Sequence, residues 1–159
     1  MADWIQRMSS KALLPLVREF LKAAYGELVD AIHDEILCSK IEKIKPELKT
    51  IQDSVELFRF YFRSPRVTEN DILGFLSPET YEQIRLLVNP KALCEDPASA
   101  LKSLKKQIEG KGISMQDIYH FLRFALMGNL KGPSIPELIE FLGTNEALER
   151  VKIALNFTD

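Results

Sequence analysis

The sequence predicts an all-α fold built from two consecutive small helical subdomains packed together. Apolar residues recur at spacings of three and four almost throughout the chain, as expected of amphipathic helices. The strict alternation of apolar and polar residues that marks half-buried strands is missing. The chain has 159 residues, 46% of them hydrophobic, which is enough to form one good core or two small ones.

The first part of the chain predicts three helices. Ser10 is a plausible N-cap and Gly26 a helix stop, so a first helix is expected between them. A second apolar repeat covers residues 28–44. Pro46 disfavours helix at the residue before it, so a third helix is expected to start there and to end near Ser64.

A break in the pattern at Ser64-Pro65 predicts the boundary between the subdomains. We assign residues 1–66 to the first subdomain and residues 67–159 to the second. Short helices then restart the pattern, two of them behind the N-caps Ser77 and Asp96. Their predicted ranges are 70–76, 78–88 and 97–109.

The last third of the chain has the clearest local signals. Ser114 followed by Asp117 has the spacing of an N-cap with an acidic third residue, and Gly128 stops that helix. A loop follows, and Ser134 with Glu137 has the same capping spacing at the head of the next helix. The predicted final helix begins after Gly143-Thr144 and continues through Leu155.

Charge and composition restrict the function classes. A net charge of −2 argues against binding nucleic acid through a bulk positive field, so any RNA contact must be local. Basic residues form three clusters, at residues 40–49, 59–66 and 102–106, and each cluster taken alone is most simply a solvated helix face. No run of about eighteen apolar residues and no export signal is found. Cys38 and Cys94 are far apart in the sequence and fit reduced thiols that pack in the core of a cytoplasmic protein. The basic clusters are Lys40/Lys43/Lys45/Lys49, Arg59/Arg63/Arg66 and Lys102/Lys105/Lys106.

Motifs of catalysis are not found. His33 and His120 lack partners at metal-ligand spacing, and no GxSxG, Walker A or GxGxxG pattern occurs. The stretch 8–11, Met-Ser-Ser-Lys, is only superficially like the lysine-methionine-serine-lysine-serine signature of class I synthetases, because the first lysine and the companion histidine motif are missing. We therefore expect neither catalytic residues nor a metal site.

The segment from Phe121 to Gly143 closely resembles the C-terminal anticodon-binding signature of bacterial-type glutamyl-tRNA synthetases. Met127 stands where that family usually has threonine. The resemblance is strong over residues 114–155 and weak before residue 70. The matching elements are Leu122-Arg123, Gly128, Gly132-Pro133, a following glutamate, Leu142-Gly143, Arg150 in the closing helix and, upstream, Trp4-Ile5 and Leu48-Lys49-Thr50.

The resemblance implies a helical cage that grips the anticodon arm of glutamate tRNA. It places Arg123 on the arginine that reaches an anticodon base, and Gly132, Pro133 and Ile135 on the loop that packs against the bases. Recognition of splayed bases needs only a few donors and apolar platforms, which suits this weakly acidic chain.

Basic residues outside that loop are candidates for phosphate contacts. Arg59 and Arg63 are four residues apart and are expected on one face of the third helix, with Arg66 just past its end. Lys49 and Lys131 complete the set of candidates.

Glu47 motivates a hypothesis about tRNA selectivity. By resemblance, strict family members place an arginine just before the leucine-lysine-threonine segment, where this chain has Glu47. A carboxylate lacks the fixed donors with which arginine can exclude a wrong base. Glutamine tRNA is therefore a second candidate partner, although Glu47 could equally be an exposed first-turn residue without contact to RNA.

The residues that activate glutamate are missing, so the chain is expected not to aminoacylate tRNA by itself. By resemblance, ATP and Mg²⁺ belong to the catalytic domain of the parent glutamate-tRNA ligase, and no cofactor is expected in this chain. The expected partners are glutamate tRNA and that catalytic domain, in a monomeric, cytoplasmic enzyme without membrane contact. A free-standing helical protein-interaction module and a stand-alone paralogue of the anticodon domain remain open alternatives.

Overall fold

The structure is a computed structural model that describes residues 3–156. Within that range it consists of helices, turns and loops without a strand, which confirms the all-α prediction. The chain forms two compact units, one up to Arg63 and one from Ser64 onward. The division predicted after Arg66 stays a prediction.

The first unit is organised around two helices, Ser10–Tyr25 and Asp34–Ile44, that share a core. Leu13, Val17 and Leu21 line one face of the helix Ser10–Tyr25 at four-residue spacing, and all three are fully buried. In order, the elements of this unit are α1 (Asp3–Arg7), α2 (Ser10–Tyr25), α3 (Glu27–Asp30), α4 (Asp34–Ile44), a 3-10 turn (Lys45–Glu47), α5 (Asp53–Leu57) and α6 (Arg59–Phe62).

The predicted helix over residues 28–44 is wrong as a single element. It is divided into α3 and α4 by the extended backbone of His33, with ψ of 147°, and the guanidinium of Arg18 stabilises the break by donating to the carbonyl oxygens of Val29 at 3.0 Å and Ile32 at 3.1 Å. These bonds satisfy carbonyls at and just after the end of α3 that have no α-helical partner. Arg18 also pairs with Asp34 at 2.6 Å, in the first turn of α4.

The predicted continuous third helix is also wrong. Pro46 lies in the 3-10 turn, and a new start forms at Thr50, whose hydroxyl accepts from the Asp53 amide at 3.2 Å. The helical run is interrupted again at Phe58, which is fully buried and separates α5 from α6.

At the start of α2 the N-cap is Ser9, not Ser10. The Ser9 hydroxyl accepts from the Ala12 amide at 3.1 Å. Ser10 is buried instead, and its hydroxyl donates to the carboxylate of Glu42.

The second unit contains seven helices among the described residues. The N-caps predicted at Ser77, Asp96, Ser114 and Ser134 are all present, each accepting from a backbone amide three residues on. The predictions missed α9, which Asn89 caps. The helices are α7 (Glu69–Leu73), α8 (Pro78–Leu87), α9 (Pro90–Glu95), α10 (Pro97–Gln107), α11 (Met115–Met127), α12 (Ile135–Leu142) and α13 (Thr144–Leu155).

The core of this unit lies between α11, α12 and α13. Phe121 and Leu122 of α11 and Val151 of α13 are fully buried. Two polar side chains of α8 fix the end of α13: the Tyr81 hydroxyl donates to Ala154 O at 2.6 Å, and Arg85 Nε donates to Leu155 O at 2.9 Å. These bonds satisfy carbonyls that a helix end leaves without partners.

Both cysteines are free thiols in the structure, Cys94 buried and Cys38 partly exposed. Across the described residues, no helix has the length and apolar character needed to cross a membrane.

Candidate nucleic-acid interface

The site predicted from the sequence lies at the end of α11 and in the loop 128–134 that follows. Gly128 ends the helix in the left-handed conformation with φ of 77°, and its amide donates to Phe124 O at 2.9 Å. A Cβ added there would lie 2.8 Å from Pro65 Cβ. Glycine is therefore required both by the backbone angle and by the close approach of Pro65.

Arg123 is tied directly to this loop. Its Nε donates to the carbonyl oxygen of Pro133 at 3.0 Å, and its guanidinium lies 5.7 Å from the ring centroid of Tyr119. Within residues 3–156 the two terminal nitrogens make no hydrogen bond, and the side chain is partly exposed. The loop thus carries an oriented guanidinium that retains donors for a ligand.

Gly132 and Ile135 hold contrasting positions in the predicted site. Gly132 is exposed, and a Cβ added there would lie 2.6 Å from Met127 Sδ, so the thioether packs against the bare backbone. Ile135 is only 1% exposed and belongs to the core. Its side chain anchors the loop from inside, so any contribution it makes to the loop surface must come from its backbone.

The start of α12 faces the same loop. The Ser134 hydroxyl accepts from the Glu137 amide at 3.3 Å, and Pro136 has no amide hydrogen. Among the described residues the amide of Ile135 has no acceptor, so one donor remains at this helix start.

Arg150 is a functional candidate whose environment could not be predicted from the sequence. It is 4% exposed, its Nη1 donates to Leu126 O at 2.6 Å, and its Nε donates to Glu146 Oε1 at 2.9 Å. Ser64 Oγ donates to the same carboxylate oxygen at 3.2 Å. The four-residue spacing of Glu146 and Arg150 was visible as a helical ion pair, but nothing local showed that Arg150 is buried.

The arginine cluster near residue 60 is not the helix edge that was predicted. Arg59 begins α6, but Arg63 has left the helix with φ of −130° and ψ of 115°, and Arg66 belongs to the second unit. The Arg63 guanidinium lies 5.6 Å from the ring centroid of Tyr25. Arg59 is exposed and 3.6 Å from Glu56, a surface pair that leaves it accessible to an anion.

Lys49 lies beside a strongly hydrogen-bonded turn. The amides of Lys49 and Thr50 donate to Asp53 Oδ2 at 3.0 and 2.9 Å. The bond from the Thr50 amide, then that from the Lys49 amide, lowers the pKa of the Asp53 carboxyl. The turn therefore holds the backbone at Lys49 while its side chain is exposed, as is that of Lys131 in the loop.

Lys40 contradicts the interpretation of its cluster as a solvated face. It is 8% exposed, and its Nζ lies 4.4 Å from the ring centroid of Tyr61. A cation over an aromatic face inside the unit stabilises the fold rather than offering charge to a ligand.

Glu47 is exposed at the end of the 3-10 turn. The Gln6 amide nitrogen donates to the carbonyls on either side of it, Lys45 O at 2.8 Å and Leu48 O at 3.1 Å. The turn that presents Glu47 is therefore fixed by contacts from α1.

No group of three or more metal-binding side chains occurs among residues 3–156. His33 precedes α4 as an exposed residue, and His120 is a partly exposed residue of α11.

The fold and the loop together define an all-helical domain that presents hydrogen-bond donors on a firmly held loop, an arrangement suited to unpaired nucleotides. A family model described as an anticodon binding domain matches residues 12–155. The chain belongs to that family.

Glutamate–tRNA ligases are similar to this chain over nearly its full length. Glutamate–tRNA ligase 2 of Anaplasma marginale is 26% identical over 96% of the chain and 34% of its own length. The enzyme of Syntrophobacter fumaroxidans is 27% identical over 99% of the chain and 34% of its own length. The crystal structure of a glutamate tRNA ligase from Elizabethkingia meningosepticum superposes with a TM-score of 0.74 at 27% identity, covering 97% of the chain and 30% of that protein.

The chain thus spans about a third of the length of the ligases that it matches. The predicted resemblance to their C-terminal anticodon-binding region is confirmed.

Proposed function

We propose that this chain binds the anticodon arm of glutamate tRNA as the recognition part of a glutamate–tRNA ligase. One observation carries the proposal: Arg123 is held by the Pro133 carbonyl beside an exposed glycine loop, with its terminal nitrogens unbonded among residues 3–156. Membership of the anticodon binding domain family supports it.

The loop offers what an unpaired base requires. A guanidinium fixed through Nε can direct two terminal donors at the edge of one base, most favourably at paired acceptors. Gly132 lets the loop backbone pack directly on the Met127 thioether, where a Cβ would collide with the sulfur, and this contact holds the exposed loop in place. Pro133 adds a rigid apolar surface for contact with a base face.

Phosphate contacts would supply the rest of the affinity. We assign these to the exposed side chains of Arg59, Arg63, Arg66, Lys49 and Lys131. Because the net charge is −2, such contacts act locally. The affinity should therefore fall with salt with a shallow slope, as expected when only a few counterions are released.

Glu47 supports a finer proposal, that glutamine tRNA is a second partner. The fixed turn presents an exposed carboxylate, which can only accept hydrogen bonds when ionised. Such a group could accept from the amino group of a cytosine but has no donor with which to exclude a different base.

Ligation of glutamate to tRNA, with ATP and Mg²⁺, is assigned to the remainder of the parent enzyme. In this proposal the chain binds neither cofactor, contacts its own catalytic domain, and acts in the cytoplasm as part of a monomer.

Direct titration of RNA hairpins tests the proposal. A labelled anticodon stem–loop of glutamate tRNA should bind saturably and more tightly than a stem–loop of the same helix with a scrambled anticodon. Equal binding of both would reduce the interaction to phosphate contacts. Absence of RNA binding, together with stoichiometric capture of one protein, would favour the alternative of a helical protein-interaction module.

A further inference from the structure

We infer that Arg150 is a positioning residue for the loop 128–134, and that Glu146 links it to the connector, defined as Ser64-Pro65. The inference rests on the proposed function, because it assigns a second, buried arginine to the loop that would read the anticodon.

Arg150 cannot be a direct RNA contact. At 4% exposure its guanidinium is enclosed by protein, and its two bonds go to Leu126 O at 2.6 Å and Glu146 Oε1 at 2.9 Å. A buried charge is costly unless its hydrogen bonds are made, so these two bonds are strongly maintained. Whatever Arg150 contributes, it contributes by holding other groups.

The group that it holds is the point where the loop begins. Leu126 O is one of the last carbonyls of α11, which the helix itself leaves without a partner. The amide four residues on, that of Leu130, donates instead to Asn129 Oδ1 at 3.1 Å. The exit of the chain from α11 is therefore fixed by a side chain of α13.

The loop is held in the same way at its other end. There Arg123 Nε donates to Pro133 O at 3.0 Å, so each end has one carbonyl bound to one arginine. Base recognition depends on the placement of donors to within about half an ångström, which makes both anchors part of the recognition geometry.

The connector completes the network. Ser64 Oγ donates at 3.2 Å to the same Glu146 oxygen that accepts from Arg150. Pro65 packs so closely on Gly128 that a Cβ there would lie 2.8 Å from Pro65 Cβ. The first residues of the second unit are thus attached to the turn at which the loop starts.

Arg150→Lys tests the inference, with Arg85→Lys as its matched control. Both arginines hold a carbonyl at a helix end, but Arg85 holds Leu155, outside the loop. Lysine keeps the charge and loses the fork that serves two acceptors at once. Amide hydrogen exchange at Gly128 and Leu130, whose amides donate to Phe124 O at 2.9 Å and to Asn129 Oδ1 at 3.1 Å, is measured on the whole chain together with urea unfolding and stem–loop binding.

We expect Arg150→Lys to speed exchange at these two amides about tenfold and to lower the preference for the glutamate anticodon by a similar factor, as loss of one charge-assisted bond should. Arg85→Lys should change neither the exchange rate of these amides nor the anticodon preference, even if it lowers the urea midpoint as much as Arg150→Lys does. If Arg150→Lys does not fold, the partly exposed Glu146 carries the test: Glu146→Gln keeps an acceptor oxygen and should preserve loop exchange, whereas Glu146→Ala should not.

Equal effects of the two lysine variants on loop exchange would overturn the inference, as would no effect of either. A wild-type chain that binds both stem–loops alike would overturn the proposed function instead, and the exchange contrast would still decide whether Arg150 positions the loop.

Discussion

Replacement of Arg123 by alanine distinguishes two roles of this side chain at the candidate interface, a contact to the edge of one base and a sequence-independent contact to phosphate. The substitution removes the terminal donors that face solvent and also the bond from Nε to Pro133 O, at 3.0 Å. Loss of a base-edge contact costs about 1–3 kcal/mol, which corresponds to roughly 5- to 150-fold in the dissociation constant. The loop bond adds about 1 kcal/mol to the free energy of unfolding at most, because Arg123 is partly exposed.

The assay is fluorescence anisotropy with four stem–loops, namely the glutamate anticodon and three versions with one anticodon base changed. Wild type should discriminate against all three changes. Arg123→Ala should lose discrimination at one position and keep it at the other two, because a guanidinium contacts one base edge. Arg123→Lys should behave almost like alanine, because an ammonium group lacks the planar fork.

Lys105→Ala is the control, since it removes one exposed positive charge from α10 of the same unit. A loss of affinity for Arg123→Ala that is the same for all four stem–loops would refute base reading and make Arg123 a phosphate contact. An unfolding midpoint that falls far more than that of the control would mean that Arg123 acts through the fold.

Four further predictions concern other parts of the chain. Arg59→Ala and Arg63→Ala should each weaken binding equally for all stem–loops and reduce the slope of log affinity against log salt by about one; an unchanged slope would make them solvated side chains. In the intact enzyme, Glu47→Arg should reduce charging of glutamine tRNA, and a wild-type enzyme that already rejects that tRNA would contradict the Glu47 hypothesis. Burial raises the pKa of the Cys94 thiol to about 11, so native protein at pH 8 should titrate one fast thiol, Cys38, with Ellman's reagent, and Cys94 only on unfolding. Because this folded-state pKa lies above the unfolded value, the Cys94 contribution to stability should be complete below about pH 9 and should be lost as the pH rises towards 11, so Cys94→Ala should reduce the alkaline decline; the part that remains belongs to groups such as Tyr25 and Tyr81, whose pKa values burial also raises.

Helix ends specified by neighbouring residues could be predicted from the sequence. Ser114 and Asp117 form the reciprocal capping box, and Gly128 adopts the left-handed conformation that ends α11. These signals act within three or four residues, so they are complete in the local sequence. The anticodon-binding family was recognisable for the same reason, since its signature is one contiguous segment.

Tertiary structure determined the features that depend on contacts between side chains and backbone groups from distant parts of the chain. Arg18 stabilises the break in a predicted helix by donating to carbonyls eleven and fourteen residues away. Arg150 became a buried anchor because it reaches Leu126, twenty-four residues before it. Periodicity shows which face of a helix is apolar, but the partner of a buried charge depends on packing, and a guanidinium is buried only where folding brings acceptors to it.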